Sequence, residues 1–219
     1  MANVIIFGVQ DFAQLAHYYL CNDSEHEVMC FVVHEAYLPE DRIFCGLPVF
    51  AFEGIEKQFN PMHYSFFAPM SPSGMNLNRE KIYLDIKAKG YSFISYISTK
   101  ATLNNNQIGD NCFILEDNTL QPFTNIGNNV ILWSGNHIGH HGVIRDHVFF
   151  SSQVVLSGHC TVESYCFFGV NSTIRDGLII AEGTFVAMDT SIGKNTEAWS
   201  VYRGTPSVKA KIPSKSLKF

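Results

Sequence analysis

From Ile108 to Ile192 every sixth residue is apolar. The series runs Ile108, Ile114, Leu120, Ile126, Leu132, Ile138, Ile144, Phe150, Leu156, Val162, Phe168, Ile174, Ile180, Val186 and Ile192, fifteen positions without a gap. A period of six excludes an amphipathic helix, whose apolar stripe recurs at three and four residues. A companion register four residues on (Cys112, Asn118, Thr124, Val130, Asn136, Gly142, Val148 and onward) carries small or medium side chains. The pattern predicts a triangular prism of short strands, three hexapeptides to a coil, with the large aliphatics stacked inside: a parallel β-helix. Glycine often follows the large residue, at Gly109, Gly127, Gly139, Gly169 and Gly193, where a tight corner is expected to need a permissive backbone.

Residues 1–97 follow another grammar. Val4-Ile5-Ile6-Phe7 reads as a short strand ending at Gly8 and feeding a helix from about Asp11 to Leu20. Strands follow at Val28–Val33, near Leu47–Phe50 and near Tyr64–Ala68; a helix spans about Asn78–Lys89, and Ser92–Ile97 is a last strand. Alternating strand and helix predicts a small parallel α/β unit with right-handed crossovers. The expected organisation is therefore an α/β unit at 1–97, a β-helix at 98–197 and a tail or cap at 198–219.

The net charge of -5 argues against a nucleic-acid surface, which needs a concentrated basic face. No apolar run approaches the ~20 residues of a membrane span, and the first residues read as a buried strand, not a signal peptide. The six cysteines show no C-x-x-C spacing and are expected to be reduced structural thiols of a cytoplasmic protein, none of them a nucleophile.

Five histidines crowd into one stretch: His137, His140, His141, His147 and His159. His140 takes the third place of its hexapeptide and His141, His147 and His159 the fourth, so all four are expected to project outward. His141 and His159 stand one full coil apart and should stack at about strand spacing, ~4.8 Å. For His147 and His159 the expected role is surface or interface; Trp133 is read as packing or a subunit contact. An imidazole titrating near neutrality suits general-base work.

The opening Ile-Ile-Phe-Gly, the repeats containing Gly-Asn-His-Ile-Gly-His-His and the closing Tyr-Arg-Gly-Thr-Pro-Ser-Val-Lys at 202–209 together resemble one family. It is the hexapeptide-repeat sugar acyltransferases related to sialic acid O-acetyltransferase. Some members N-acetylate nucleotide-linked amino sugars of the bacillosamine and perosamine pathways. The resemblance implies a Rossmann-like nucleotide-sugar-binding unit, a left-handed β-helix, a homotrimer, acetyl-CoA as co-substrate and no metal. It implies His140 as the base, with His141 beside it where bacillosamine-type enzymes place a carboxylate. The nucleotide sugar would meet Gly8, Gln10, Asp11, Phe12, His34, Arg79 and Asn136, although Asn136 lies in the inward register and equally suits stacking along the prism. In the first turn only Gly8 remains of the family's glycines, Asp11 and Ala13 standing in place of others. CoA would meet Gly158, Gly169, Arg203, Gly204, Pro206 and Lys209, the last four equally suited to capping the solenoid.

The implied reaction is N-acetylation of a nucleotide-linked amino sugar in glycan biosynthesis, by direct attack and without an acyl-enzyme. The nucleotide stays open among UDP, GDP and dTDP. The alternatives are O-acetylation of a sugar hydroxyl, a zinc-dependent lyase of the γ-type carbonic anhydrase kind using clustered histidines, and a non-catalytic assembly module.

Overall fold

In the computed structural model, which describes residues 1–206 together with 209, 211 and 215, the period of six is a parallel β-helix. Two-residue strands pair in parallel with their counterparts one coil away: Ile131 with Phe149, His137 with Val155, Val143 with Thr161. They form three sheets, the faces of the prism. The interior is the two registers read from the sequence, with Leu132, Ile138, Phe150 and Leu156 packed among Val130, Val148, Val154 and Cys160.

The corners are built differently from expectation. The backbone turns left-handed at every sixth residue, including Asn111, Asp117, Phe123, Asn129, Gly135, His141, His147, Gln153 and His159. Asn, Asp and His tolerate this conformation better than other non-glycine residues. Gly109, Gly127, Gly139 and Gly169 serve close approach instead, whereas a Cβ on Gly193 would meet nothing within 4 Å. A Cβ on Gly139 would come within 2.5 Å of the Gly158 nitrogen one coil on, and one on Gly109 within 2.6 Å of the Gly127 carbonyl.

The N-terminal unit is a six-stranded sheet made of β1 (Asn3–Phe7), β2 (Glu27–Val33), β3 (Ile43–Phe44), β4 (Leu47–Ala51), β5 (Tyr64–Phe67) and β6 (Ser92–Phe93), in the order β3-β4-β2-β1-β5-β6. All pairings are parallel except the β3–β4 hairpin at one edge. The two α-helices are α1 (Asp11–Asn22) and α2 (Leu77–Ala88). Between β2 and β4 the chain makes a 3-10 turn and the short β3 rather than a crossover helix. The last expected strand, Ser92–Ile97, is two: β6 joins this sheet, whereas β7 (Tyr96–Ile97) pairs with Phe113–Ile114 of the prism.

The two parts share an apolar seam. Phe113, Ile131 and Phe149, on the outside of one prism face, pack with Ala13, Ala16 and Leu20 of α1. Along one edge of that face runs a polar ladder with an eighteen-residue step. Asn111 Nδ2 donates to Asn129 Oδ1 at 2.9 Å, and Asn129 Nδ2 donates to His147 Nδ1 at 2.9 Å. Tyr165 continues the ladder, stacked on His147 at 5.5 Å.

Two expectations are corrected at this ladder. Arg79, expected at the nucleotide sugar, is 1% exposed. Its guanidinium donates to Asn76 Oδ1 at 2.7 Å and to the Asn129 carbonyl, fastening α2 to the prism. His147, expected at a surface or interface, does point out of the prism, but into α2 of its own chain: it is 6% exposed, between Tyr83 and Tyr165. The tail strand Val201–Tyr202 pairs with Phe185–Val186 of the prism.

Candidate active site

His140 and His141 lie at a prism edge whose successive corner residues are Asn105, Phe123, His141, His159 and Gly177, distinct from the edge that carries the polar ladder. The left-handed corners at His141 and His159 carry both imidazoles outward. One coil apart, the two rings stack at 5.0 Å with planes 16° apart, the arrangement that the period implied. Phe123, one coil earlier, covers the other side of His141 at 4.6 Å between ring centroids.

His140, just before the corner, folds back across the next coil. Its ring stands edge-on to His141 at 5.1 Å and to His159 at 4.9 Å. The room for it comes from Gly158, where a Cβ would sit 2.9 Å from the His140 Nε2. The His140 backbone N–H donates to Gln121 Oε1 at 3.0 Å, and its carbonyl accepts from the His159 N–H at 2.8 Å.

The His140 and His141 Nδ1 atoms are 3.0 Å apart, so one carries the proton and the other accepts it. When His140 Nδ1–H is the donor, its Nε2 lone pair is free for an external proton. In that state the neutral His141 Nδ1 is the acceptor.

A second group of candidates gathers at the carboxyl ends of β1, β2 and β4. Gly8, at φ 117°, turns the chain from β1 into α1, and its N–H donates to the Val32 carbonyl at 2.8 Å. A Cβ there would stand 3.3 Å from that of Ala13. Gln10 and Asp11 are exposed at the start of α1. His34 Nδ1 donates to Glu53 Oε1 at 2.8 Å, and the other oxygen of Glu53 accepts from the Glu35 N–H at 2.9 Å. The His34 contact holds the Glu53 carboxyl below its ordinary value. In the strand order of this sheet β1 is the switch point, and crevices outside the carboxyl ends at a switch point are where open α/β sheets bind ligands. Glu53 is a member that the sequence did not flag; only its contact with His34, 19 residues away along the chain, reveals it.

The other candidates lie elsewhere. Phe12 turns into the seam, edge-on to Trp133 at 5.7 Å, which makes Trp133 a packing residue within the chain. Asn136, expected at the substrate, is 1% exposed. Its amide donates to Asn118 Oδ1 at 2.9 Å and its Oδ1 accepts from the Val154 N–H at 2.8 Å, an internal asparagine ladder. At Gly169 the next coil approaches as at Gly109, Gly127 and Gly139, a Cβ meeting Met188 Cα at 2.9 Å. Gly204 donates its N–H to Thr190 Oγ1 at 2.8 Å, tying the tail to the last coil, while Arg203, Pro206 and Lys209 are exposed.

The thiols are poor nucleophiles. All six cysteines are free, and burial pushes Cys30, Cys112 and Cys166 up to about 12. Among the described residues no helix is long and apolar enough to cross a membrane.

The mostly parallel sheets, few helices and repeated strands define a hexapeptide-repeat fold, a left-handed parallel β-helix behind an α/β unit. Solved structures share it over nearly the whole chain. One is a mutant perosamine N-acetyltransferase from Caulobacter crescentus in complex with CoA and GDP-perosamine: 18% identical, TM-score 0.79, covering 96% of this chain and 98% of that one. Another is the acetyltransferase domain of PglB from Neisseria gonorrhoeae: 16% identical, TM-score 0.79, 94% and 98% covered. WeeI from Acinetobacter baumannii, 19% identical, gives a TM-score of 0.77 over 94% and 98%.

Among curated proteins, an acyl-[acyl-carrier-protein]–UDP-N-acetylglucosamine O-acyltransferase from Sinorhizobium fredii is 25% identical over 108 residues, 46% of this chain and 40% of that protein. The chain thus spans well under half the length of the curated relatives it matches. No family model matches. The expected resemblance to hexapeptide-repeat sugar acyltransferases is met by these neighbours.

Proposed function

We propose that the protein is an acetyl-CoA-dependent N-acetyltransferase acting on a nucleotide-linked amino sugar, with His140 as general base. The observation that carries this reading is the His140–His141 pair, its Nδ1 atoms 3.0 Å apart, held over the bare backbone of Gly158. The sugar's amine nitrogen attacks the thioester carbonyl carbon, forming the C–N bond. As the tetrahedral intermediate collapses, the C–S bond breaks and CoA leaves as thiolate. His140 Nε2 takes the proton that the amine loses and returns it to the thiolate, so no acyl-enzyme is needed. The Gly158 amide, adjoining the His140 ring, is the candidate donor to the oxyanion.

The α/β unit is read as Rossmann-like and as the holder of the nucleotide, through the crevice of Gly8, Gln10, Asp11, His34 and Glu53. In support, the Caulobacter enzyme of similar fold binds CoA and GDP-perosamine. Within one chain Phe12 leads to Trp133 and Phe149, on a face that does not adjoin the His140 edge. A homotrimer, in which a neighbouring chain's crevice faces this edge, reconciles the two, and CoA then lies between prisms near Arg203 and Lys209. The chemistry and acetyl-CoA supply suit the cytoplasm.

O-acylation is the second reading, favoured by the O-acyltransferases among the curated relatives. A hydroxyl is a much weaker acid than a protonated amine and asks for a stronger base than an imidazole paired to a neutral imidazole. The test is thiol release from acetyl-CoA with a panel of UDP-, GDP- and dTDP-linked 3- and 4-amino-6-deoxy sugars. Turnover on one amine supports the proposal. Turnover only on hydroxyl sugars, or none from folded protein, would overturn it.

A further inference from the structure

We infer that His140, His141 and His159 together bind one divalent transition cation of the zinc class, and that the bound ion blocks acyl transfer. The inhibitory half rests on the general-base reading of His140; the binding half does not. One nitrogen from each of the three imidazoles lies within 4.8 Å of the other two. The two Nδ1 atoms of His140 and His141, 3.0 Å apart, are already close to the separation of about 3.3 Å that two nitrogens at ~2.05 Å adopt on a tetrahedral ion.

The convergence has identifiable structural causes. An eighteen-residue step puts His159 directly on His141, both at left-handed corners with φ of 57° and 55°. The missing Cβ at Gly158 lets His140 fold toward His159. Phe123 closes the far side of His141. All three histidines are exposed, so His159 can swing inward by a change of rotamer and an ion can reach the cluster from solvent.

The donor set selects the metal. Three imidazoles and no carboxylate suit zinc, cobalt, nickel or copper and disfavour magnesium and calcium, which demand oxygen ligands. Three protein ligands leave a fourth position for water. Coordination through His140 Nδ1 leaves the proton of the neutral ring on Nε2, the atom that would act as the base, so an occupied site has no base. The ion is therefore an inhibitor here, not a cofactor of the transfer.

The experiment titrates Co²⁺, then Zn²⁺, into the full chain after chelator treatment. It reads the visible absorption of four-coordinate cobalt, its displacement by zinc, and thiol release with and without zinc. His159→Asn is the decisive variant, because asparagine tolerates the left-handed corner and His159 takes no part in the proposed transfer. The expected result is one cobalt per chain, displaced by zinc. His159→Asn should weaken binding by about tenfold or more and relieve zinc inhibition in proportion, with metal-free turnover kept. No cobalt spectrum at ~100 µM, or binding unchanged in His159→Asn, would overturn the site. Binding that leaves turnover untouched would overturn the inhibition. The cobalt spectrum needs no substrate, so it stands or falls apart from the acetyltransferase reading.

Discussion

The His140 ring occupies the space that a side chain on residue 158 would need: a Cβ there would lie 2.9 Å from both Cε1 and Nε2 of His140. Gly158 has no left-handed φ, so alanine is compatible with its backbone, and the three atoms nearest the added methyl all belong to the His140 ring. Gly158→Ala is expected to displace the imidazole and lower kcat by about 10- to 100-fold, because sub-ångström errors in a base are costly. Circular dichroism and thermal midpoint should stay close to the parent's. Full activity in Gly158→Ala would mean that the ring position is not used.

On the general-base reading, the Nδ1–Nδ1 contact gives the two histidines different roles. His140→Ala is expected to lose on the order of 10²-fold or more in kcat, with oligomeric state and CoA binding intact. At the left-handed corner His141→Gly fits the backbone but removes the acceptor, and a loss of about tenfold is expected. His141→Asn keeps an acceptor oxygen and should lose less. Equal losses in the two His141 variants would exclude the acceptor role. A broken assembly in His140→Ala would make His140 a structural residue.

Much of this edge was legible in the sequence because it is local. The period of six gave the coil, the coil gave the eighteen-residue step, and the step put His159 on His141. What the period could not show is which prism edge the N-terminal unit would cover. His147 and His141 hold the same place in their hexapeptides, yet one is 6% exposed beneath α2 and the other lies open. That difference depends on contacts between segments 50 or more residues apart, such as Arg79 with Asn129. Asn136 was misplaced for the converse reason, a family role set against an inward register that its ladder to Asn118 obeys. At Gly109, Gly127, Gly139 and Gly169 it is coil spacing, not torsion, that requires glycine, and the period alone does not distinguish the two.

Asp23 fastens the end of α1 to the first coil. It accepts from Thr99 Oγ1 at 2.5 Å, Tyr96 Oη at 2.7 Å, the Thr99 N–H at 3.0 Å and Ser98 Oγ at 3.1 Å. The Thr99 hydroxyl first, then Tyr96, lower its carboxyl from 3.8 to about 2. A carboxylate lowered on folding stabilises above its ordinary pKa, and that stability disappears as pH falls toward the folded value. Asp23→Asn is expected to cost roughly 1–2 kcal/mol at neutral pH, the exposed part of the site being screened by solvent. The difference in thermal midpoint between parent and variant should shrink at about pH 3. A constant difference across that range would deny the carboxylate its part.

Arg79 offers a direct test of seam against substrate. It is wholly buried, which pushes its guanidinium down to about 9, still charged at neutral pH. Removing it leaves the Asn129 carbonyl and Asn76 Oδ1 without their donor inside the seam. Arg79→Ala is therefore expected to lose about 2–4 kcal/mol of stability. At a temperature where the variant is folded, KM for the nucleotide sugar should be unchanged. A large KM increase at parental stability would restore Arg79 to the substrate.

His147 sets the acid limit of the same seam. Burial is the main cause that lowers its pKa; Arg79 lowers it further, while Glu80 and Asp146 oppose the shift. Asn129 donates to its Nδ1, so the proton sits on Nε2, 3.7 Å from Glu80 Oε1. A histidine lowered on folding is held neutral. Its stabilising share is complete above the ordinary value of 6.5 and is lost as pH falls below it toward the folded pKa. The parent's thermal midpoint should accordingly fall between about pH 7.5 and pH 5. His147→Asn fits the left-handed corner but gives up the packing between Tyr83 and Tyr165, so it should start lower at the alkaline end. Its midpoint should then decline less over the acid range, because no imidazole remains to be charged. Thermal unfolding of both proteins across that range decides the matter: parallel curves would assign the acid sensitivity to other groups.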